Sequence, residues 1–280
     1  MALALPVPSW FAFETNLSGG PSTAPGTLIT ANSTIHTKGS WTNCIDLVDV
    51  DSFGLWVGIS ESAASNTRTD QLLDIGIGPF GGGSEQVIVS NLIAGWSGAG
   101  SGGTTYAGRR FFLPIFIPKG VRVSARSQAL ISSDTVRLQL GLLGGMSNLG
   151  WPVCVGVDDY GIDTATSGGT SHTAGNSGAF SAYTNFGSTL SRHYKGVLTL
   201  PQGTMSDTVM TSQAYYWEAA VPTADTLASW QYETTTAENV TGPWPGQPFM
   251  CELPSGTQMQ VRASASGTAE AMDVGMYLLY

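Results

Sequence analysis

Charge is what this 280-residue sequence has least of. Charged residues make up 11% of it, against about 25% in an ordinary soluble domain, so solubility must rest on Ser, Thr, Asn, Gln and Gly. Lysine is scarcest, confined to Lys38, Lys119 and Lys195, and the net charge is −9. Phosphate neutralisation needs clustered cations, so nucleic acid is excluded as a partner. The adjacent Arg109 and Arg110 form one basic spot, read as a solvated or ion-paired loop. Cysteine is also nearly absent. Cys44, Cys154 and Cys251 lie far apart, with no CxxC pair and no even count. That spacing excludes a disulfide framework and suits a reducing cytoplasm, with Cys44 and Cys154 as small buried hydrophobes.

Long apolar runs and helical periodicity are missing as well. No stretch is long enough to cross a membrane as a helix. The N-terminal MALALPVPSWFAFE has no cation before its apolar residues and carries Pro6 and Pro8, so it does not read as a signal peptide, and the Asn16, Asn32 and Asn239 sequons read as chance products. Catalytic motifs fail in the same way. GIGPFG at 76–81 matches G-x-G-x-x-G, but Pro79 interrupts it and a turn and strand follow instead of a helix. No Gly precedes a Lys, which removes the usual phosphate loop, and GWSGA and GNSGA end in Ala where a nucleophile elbow needs Gly. His36, His172 and His193 show no metal-ligand spacing, and His172 sits in a glycine-rich stretch that reads as exposed loop. The acids at 46, 49 and 51 and at 158, 159 and 163 offer oxygen ligands of the kind a structural Ca²⁺ takes, but their spacing fits no known loop and they read as turn or solvated residues. The expectation is a chain that is not an enzyme, with no catalytic residues, no cofactor and no metal.

What the sequence does contain is short β runs between turn residues, with 36 Gly and 14 Pro. Val121, Val123 and Ala125 alternate with Arg122, Ser124 and Arg126, and Val136, Leu138, Leu140 and Leu142 alternate with polar residues and Gly. Both segments have the period of a half-buried strand. An internal repeat organises the whole. IPKGVRVSARS at 117–127 aligns without gaps on LPSGTQMQVRA at 253–263, placing Pro118 on Pro254, Gly120 on Gly256 and Arg126 on Arg262, an offset of 136. The same offset sets Val136, Leu138, Leu140 and Leu142 on Met272, Val274, Met276 and Leu278. Pro presets φ and Gly permits positive φ, so each copy turns a corner into a strand. Upstream, LLDIGIGP at 72–79 resembles YWEAAVP at 216–222, with Asp74 against Glu218 at an offset of 144.

The predicted fold is all-β, with two tandem related β-sandwich (jelly-roll-like) domains: an arm over 1–26, a first sandwich over 27–147 and a second over 148–280. The Gly/Ser-rich stretches 95–108 and 163–187 read as loops. Trp56, Trp151, Trp217, Trp230 and Trp244 read as core aromatics, whereas Trp96 and Tyr106, flanking a glycine tract, and Trp10 and Phe11, on the arm, are the candidate contact surface. The arm docks either on a partner or on its own domain.

The repeated P-x-G corner, the LLDIGIGP and VIVSNLIAG strands and the charge-poor composition together resemble minor structural proteins of tailed bacteriophage particles. That resemblance implies a virion structural protein, of the capsid decoration or cement type or otherwise head-associated. It would be assembled in the host cytoplasm with major capsid or tail proteins as partners, and as a homo-oligomer such as a trimer. The alternative is a spike or fibre adhesin whose aromatic residues meet a glycan. A polysaccharide hydrolase would need two carboxylates in one cleft, such as Asp74 and Glu218, but their matching repeat positions point to matching structural roles.

Overall fold

The computed structural model describes residues 12–15, 26–61, 71–94, 109–144, 153–202, 213–222, 226–234, 240–241, 248–269 and 271–280. These form twenty strands and, among the described residues, no helix: β1 (Ala12–Thr15), β2 (Thr27–Thr30), β3 (Thr42–Ile45), β4 (Ser52–Glu61), β5 (Gln71–Pro79), β6 (Gln86–Ile93), β7 (Arg109–Leu113), β8 (Val121–Ala129), β9 (Thr135–Gly144), β10 (Val157–Tyr160), β11 (Ile162–Asp163), β12 (Gly168–Thr173), β13 (Thr184–Thr189), β14 (Tyr194–Gln202), β15 (Gln213–Ala220), β16 (Thr226–Thr234), β17 (Val240–Thr241), β18 (Phe249–Leu253), β19 (Gln258–Ala265) and β20 (Ala271–Leu279).

In the first half, β2, β9, β4 and β7 make one sheet and β3, β8, β5 and β6 another. This is the strand order of an eight-stranded jelly roll. Strand β1, from the segment expected to be an arm, adds to β9 by pairing Phe13 with Leu143. In the second half the order recurs as β12, β20, β14, β18 and β13, β19, β15, β16. Registers recur with it. Gly54 faces Leu143 as Gly196 faces Leu279, Thr42 faces Ala125 as Thr184 faces Val261, and Thr27 faces Leu138 as Thr170 faces Val274.

The alternating residues of β9 are buried as their period requires: Val136, Leu138, Leu140 and Leu142 are each at most 2% exposed. Strand β20 departs from alternation. Val274, Met276 and Leu278 belong to the second hydrophobic cluster, while Tyr277 and Leu279, on the opposite face, belong to the first. The cause is the joining of the halves. Strand β10 pairs antiparallel with β20 and meets β6 in parallel at Val157 and Val89, so one ten-stranded sheet takes strands from both halves and both of its faces are covered there.

Two sequence expectations are corrected. The Gly/Ser-rich stretch 163–187 contains β12 and the start of β13, because pairing with β20 and β19 satisfies backbone groups that no side-chain pattern advertises. His172 on β12 is therefore buried, not exposed. On β8, Ser124 and Gln128 are buried on the side where a solvent face was expected. The segment after β2 runs along the edge of this strand: the His36 and Gly39 N–H groups donate to the Ala129 and Ser127 carbonyls at 2.9 and 2.7 Å.

The GIGPFG motif is a strand end followed by a turn and strand β6, as its context predicted. Gly76 has its own reason to be glycine. A Cβ there would lie 2.8 Å from the Trp41 ring, which packs across it.

Candidate functional site

An open cleft of about 550 Å³ lies where the two halves meet. Its walls come from the segment after β2 (His36, Thr37, Lys38), from β5, β6 and β8 (Asp74, Ser90, Asn91, Arg126, Gln128), and from Thr164 of the second half. Asp74 is central and only 3% exposed. Its strand is apolar and central, so its charge must be compensated on the spot. Lys38 Nζ donates to its Oδ1 at 2.7 Å, the Asn91 N–H donates to the same oxygen at 3.0 Å, and Arg126 Nε donates to Oδ2 at 2.9 Å. Arg126 faces Asp74 directly across the β5–β8 pairing and also lies 4.5 Å from the centre of the Trp41 ring.

Lys38 also donates to the Leu72 carbonyl at 3.2 Å. Burial lowers its pKa from the ordinary lysine range, and this outweighs the opposing pull of Asp74. The second half holds the other wall. His36 Nδ1 lies 3.0 Å from Ser167 Oγ, and Gln128 Nε2 donates to the Thr164 carbonyl and to Ser167 Oγ at 2.7 and 3.0 Å. Asp159 is bonded by Ser90 Oγ and, at 3.2 Å, by Asn91 Nδ2. Asn91 Oδ1 is buried and has no partner.

The acid–arginine pair has a counterpart. Glu218 and Arg262 face each other across β15 and β19, joined at 2.6 Å, with Arg262 packed against the Phe180 and Tyr183 rings at 4.5 and 4.4 Å. Asp74 lines the cleft and Glu218 does not, so these carboxylates do not make the pair a glycosidase needs.

The residues singled out from sequence fall elsewhere. Trp10, Phe11, Trp96 and Tyr106 lie outside the described residues. Pro118 and Gly120, like Pro254 and Gly256, form turns: the glycines have φ of +88° and +83°, and their N–H groups donate to the Val48 and Leu190 carbonyls, each at 2.8 Å. Trp217 is a core residue, 2% exposed. Cys154 is buried and Cys44 half-buried, and desolvation pushes the Cys44 thiol up to about 12. Among the described residues, no three His, Cys, Asp or Glu side chains are grouped to hold a metal. The sequence did carry a trace of the cleft, an acid inside the apolar run LLDIGIGP and a lysine in a chain with three. Nothing in it said that the two meet.

No family model matches the chain, and no curated protein matches it. Solved structures do. PNGF-II is 8% identical with a TM-score of 0.36; the match covers 96% of this chain but only 65% of that one. PNGase F, a glycosylasparaginase from Flavobacterium meningosepticum, is 8% identical over 96% of this chain and 94% of that one, with a TM-score of 0.34. The Cowpea mosaic virus top component, a naturally occurring empty particle, is 10% identical over 90% and 87%, also at 0.34. Enzymes thus stand among the similar structures, which corrects the expectation that the chain is not an enzyme: missing sequence motifs do not settle that question. At these scores the likenesses transfer neither an activity nor a role.

Proposed function

We propose that this protein is a structural component of a virus particle, of the decoration or head-associated kind found in tailed bacteriophages, working as a homo-oligomer such as a trimer. The reading also takes the two halves as products of one duplicated sandwich unit. What supports it is a charge-poor chain whose two halves repeat one strand order, with apolar side chains standing out: Phe80 is 68% exposed in the β5–β6 turn, Val155 60% and Ile35 50%. Such isolated apolar points on a polar, uncharged surface suit many modest contacts with neighbours, which particle symmetry multiplies.

The test is mass photometry and negative-stain imaging of the purified protein, alone and mixed with particles stripped of it. Regular decoration of the head lattice supports this reading. Attachment at one vertex or at the tail moves the assignment to a spike or adhesin, and failure to bind any such particle removes the virion role.

A further inference from the structure

The two halves provide an internal comparison. The His36 N–H donates to the Ala129 carbonyl as the Gly178 N–H donates to Ala265, and Gly39 bonds to Ser127 as Ser181 bonds to Ala263. His36, Thr37 and Lys38 therefore occupy the places of Gly178, Ala179 and Phe180. The acid–arginine pair is present in both halves and belongs to the scaffold. The three-residue segment is what differs. In the second half, Phe180 covers Arg262 with a ring; in the first, the same place presents polar side chains to an open cleft.

Backbone strain gathers there too. Five non-glycine residues have positive φ among the described residues. Two of them, His36 and Asn91, line the cleft, and a third, Ser167, bonds to both His36 and Gln128. Such conformations cost about 1 to 3 kcal/mol each and collect at ligand-binding positions.

The spare bonding capacity defines the ligand. Asp74, the acid that lines the cleft, has both oxygens engaged, and Asp159, bonded at Oδ1 by Ser90 and Asn91, is not among the lining residues. The spare capacity of the lining residues includes one Lys38 hydrogen, the terminal amino groups of Arg126 and the unpartnered Asn91 Oδ1. A planar carboxylate fits the guanidinium fork, and a hydroxyl satisfies an amide oxygen. We propose that this cleft binds a sugar acid, its carboxylate on Arg126 and Lys38 and a ring hydroxyl on Asn91. The volume fits: small-molecule sites run from about 300 to 1,000 Å³. The net charge of −9 is no obstacle, because charges beyond the screening length of about 8 Å at physiological salt count little.

The inference is independent of the virion reading. It is tested by titrating the ¹⁵N-labelled protein with methyl β-D-glucuronide and with the neutral methyl β-D-glucoside. The expected result is saturable shifts at Asn91 and Arg126, with the glucuronide binding at least tenfold tighter. Replacing His36→Gly, Thr37→Ala and Lys38→Phe together copies the second half into the first and should abolish binding while leaving the circular dichroism spectrum unchanged. Asn91→Gly, which tolerates positive φ, should weaken binding about tenfold and serves if the triple variant does not fold. Equal affinity for the two glycosides, no saturable shift with either, or shifts confined to residues away from the cleft would overturn the proposal.

Discussion

The Tyr277 hydroxyl accepts the Ile93 N–H at 2.7 Å across the junction of the halves and donates to the Asn91 carbonyl at 2.9 Å. Tyr277 is fully buried, so one phenol from β20 ties the end of β6 to the second half.

Tyr277→Phe keeps the ring and removes only that hydroxyl. Loss of a buried hydrogen-bonding partner costs about 1 to 3 kcal/mol, so the urea midpoint should fall accordingly. An unchanged midpoint would mean that this hydroxyl adds nothing to the junction.

The two acid–arginine pairs should differ in strength. The arginines are alike, 31% and 30% exposed, but the Asp74 side chain is 5% exposed and that of Glu218 17%. Asp74→Ala strands Lys38 and Arg126 beside a buried gap and should cost about 3 to 5 kcal/mol. Glu218→Ala should cost about 1 kcal/mol or less, because water reaches that pair. Equilibrium denaturation of both variants decides, and equal losses would refute the assignment.

Gly120 and Gly256 sit at matched turns, where an added Cβ would meet nothing within 4 Å. Only the positive φ opposes a side chain, so Gly120→Ala and Gly256→Ala should each cost about 1 kcal/mol. A marked difference in thermal midpoint between them would show that the two corners are not mechanically alike.

His172 is enclosed by Ser181 Oγ and Thr184 Oγ1, each at 3.0 Å, and by the Trp217 ring. Burial lowers its pKa from 6.5. The unfolded chain then binds the proton more readily, so stability is present above pH 6.5 and falls as the pH drops below it. His172→Gln should flatten that slope when urea midpoints at pH 7 and pH 5 are compared. An identical slope in the variant would assign the acid sensitivity to other groups.

Much of the fold was legible because alternation and turn chemistry are local. The period of Val136 to Leu142, the P-x-G corners and the strand-turn-strand reading of GIGPFG all rest on neighbours in sequence, and each has its expected form. The stretch around His172 was illegible for the converse reason. Its strands are specified by the edges of β19 and β20, which lie about seventy to a hundred residues away.

The sequence by itself determined the all-β class, the repeated turn-and-strand unit and a surface poor in charge, since these follow from period, residue conformation and composition. Tertiary structure alone decided that β20 is buried on both faces and that Lys38, Asp74, Asn91 and Arg126 share one cleft. The first depends on how β6 meets β10, and the second on how β5, β6, β8 and the segment after β2 come together. A meeting of segments far apart in sequence is set by packing over the whole molecule, and no spacing along the chain encodes it.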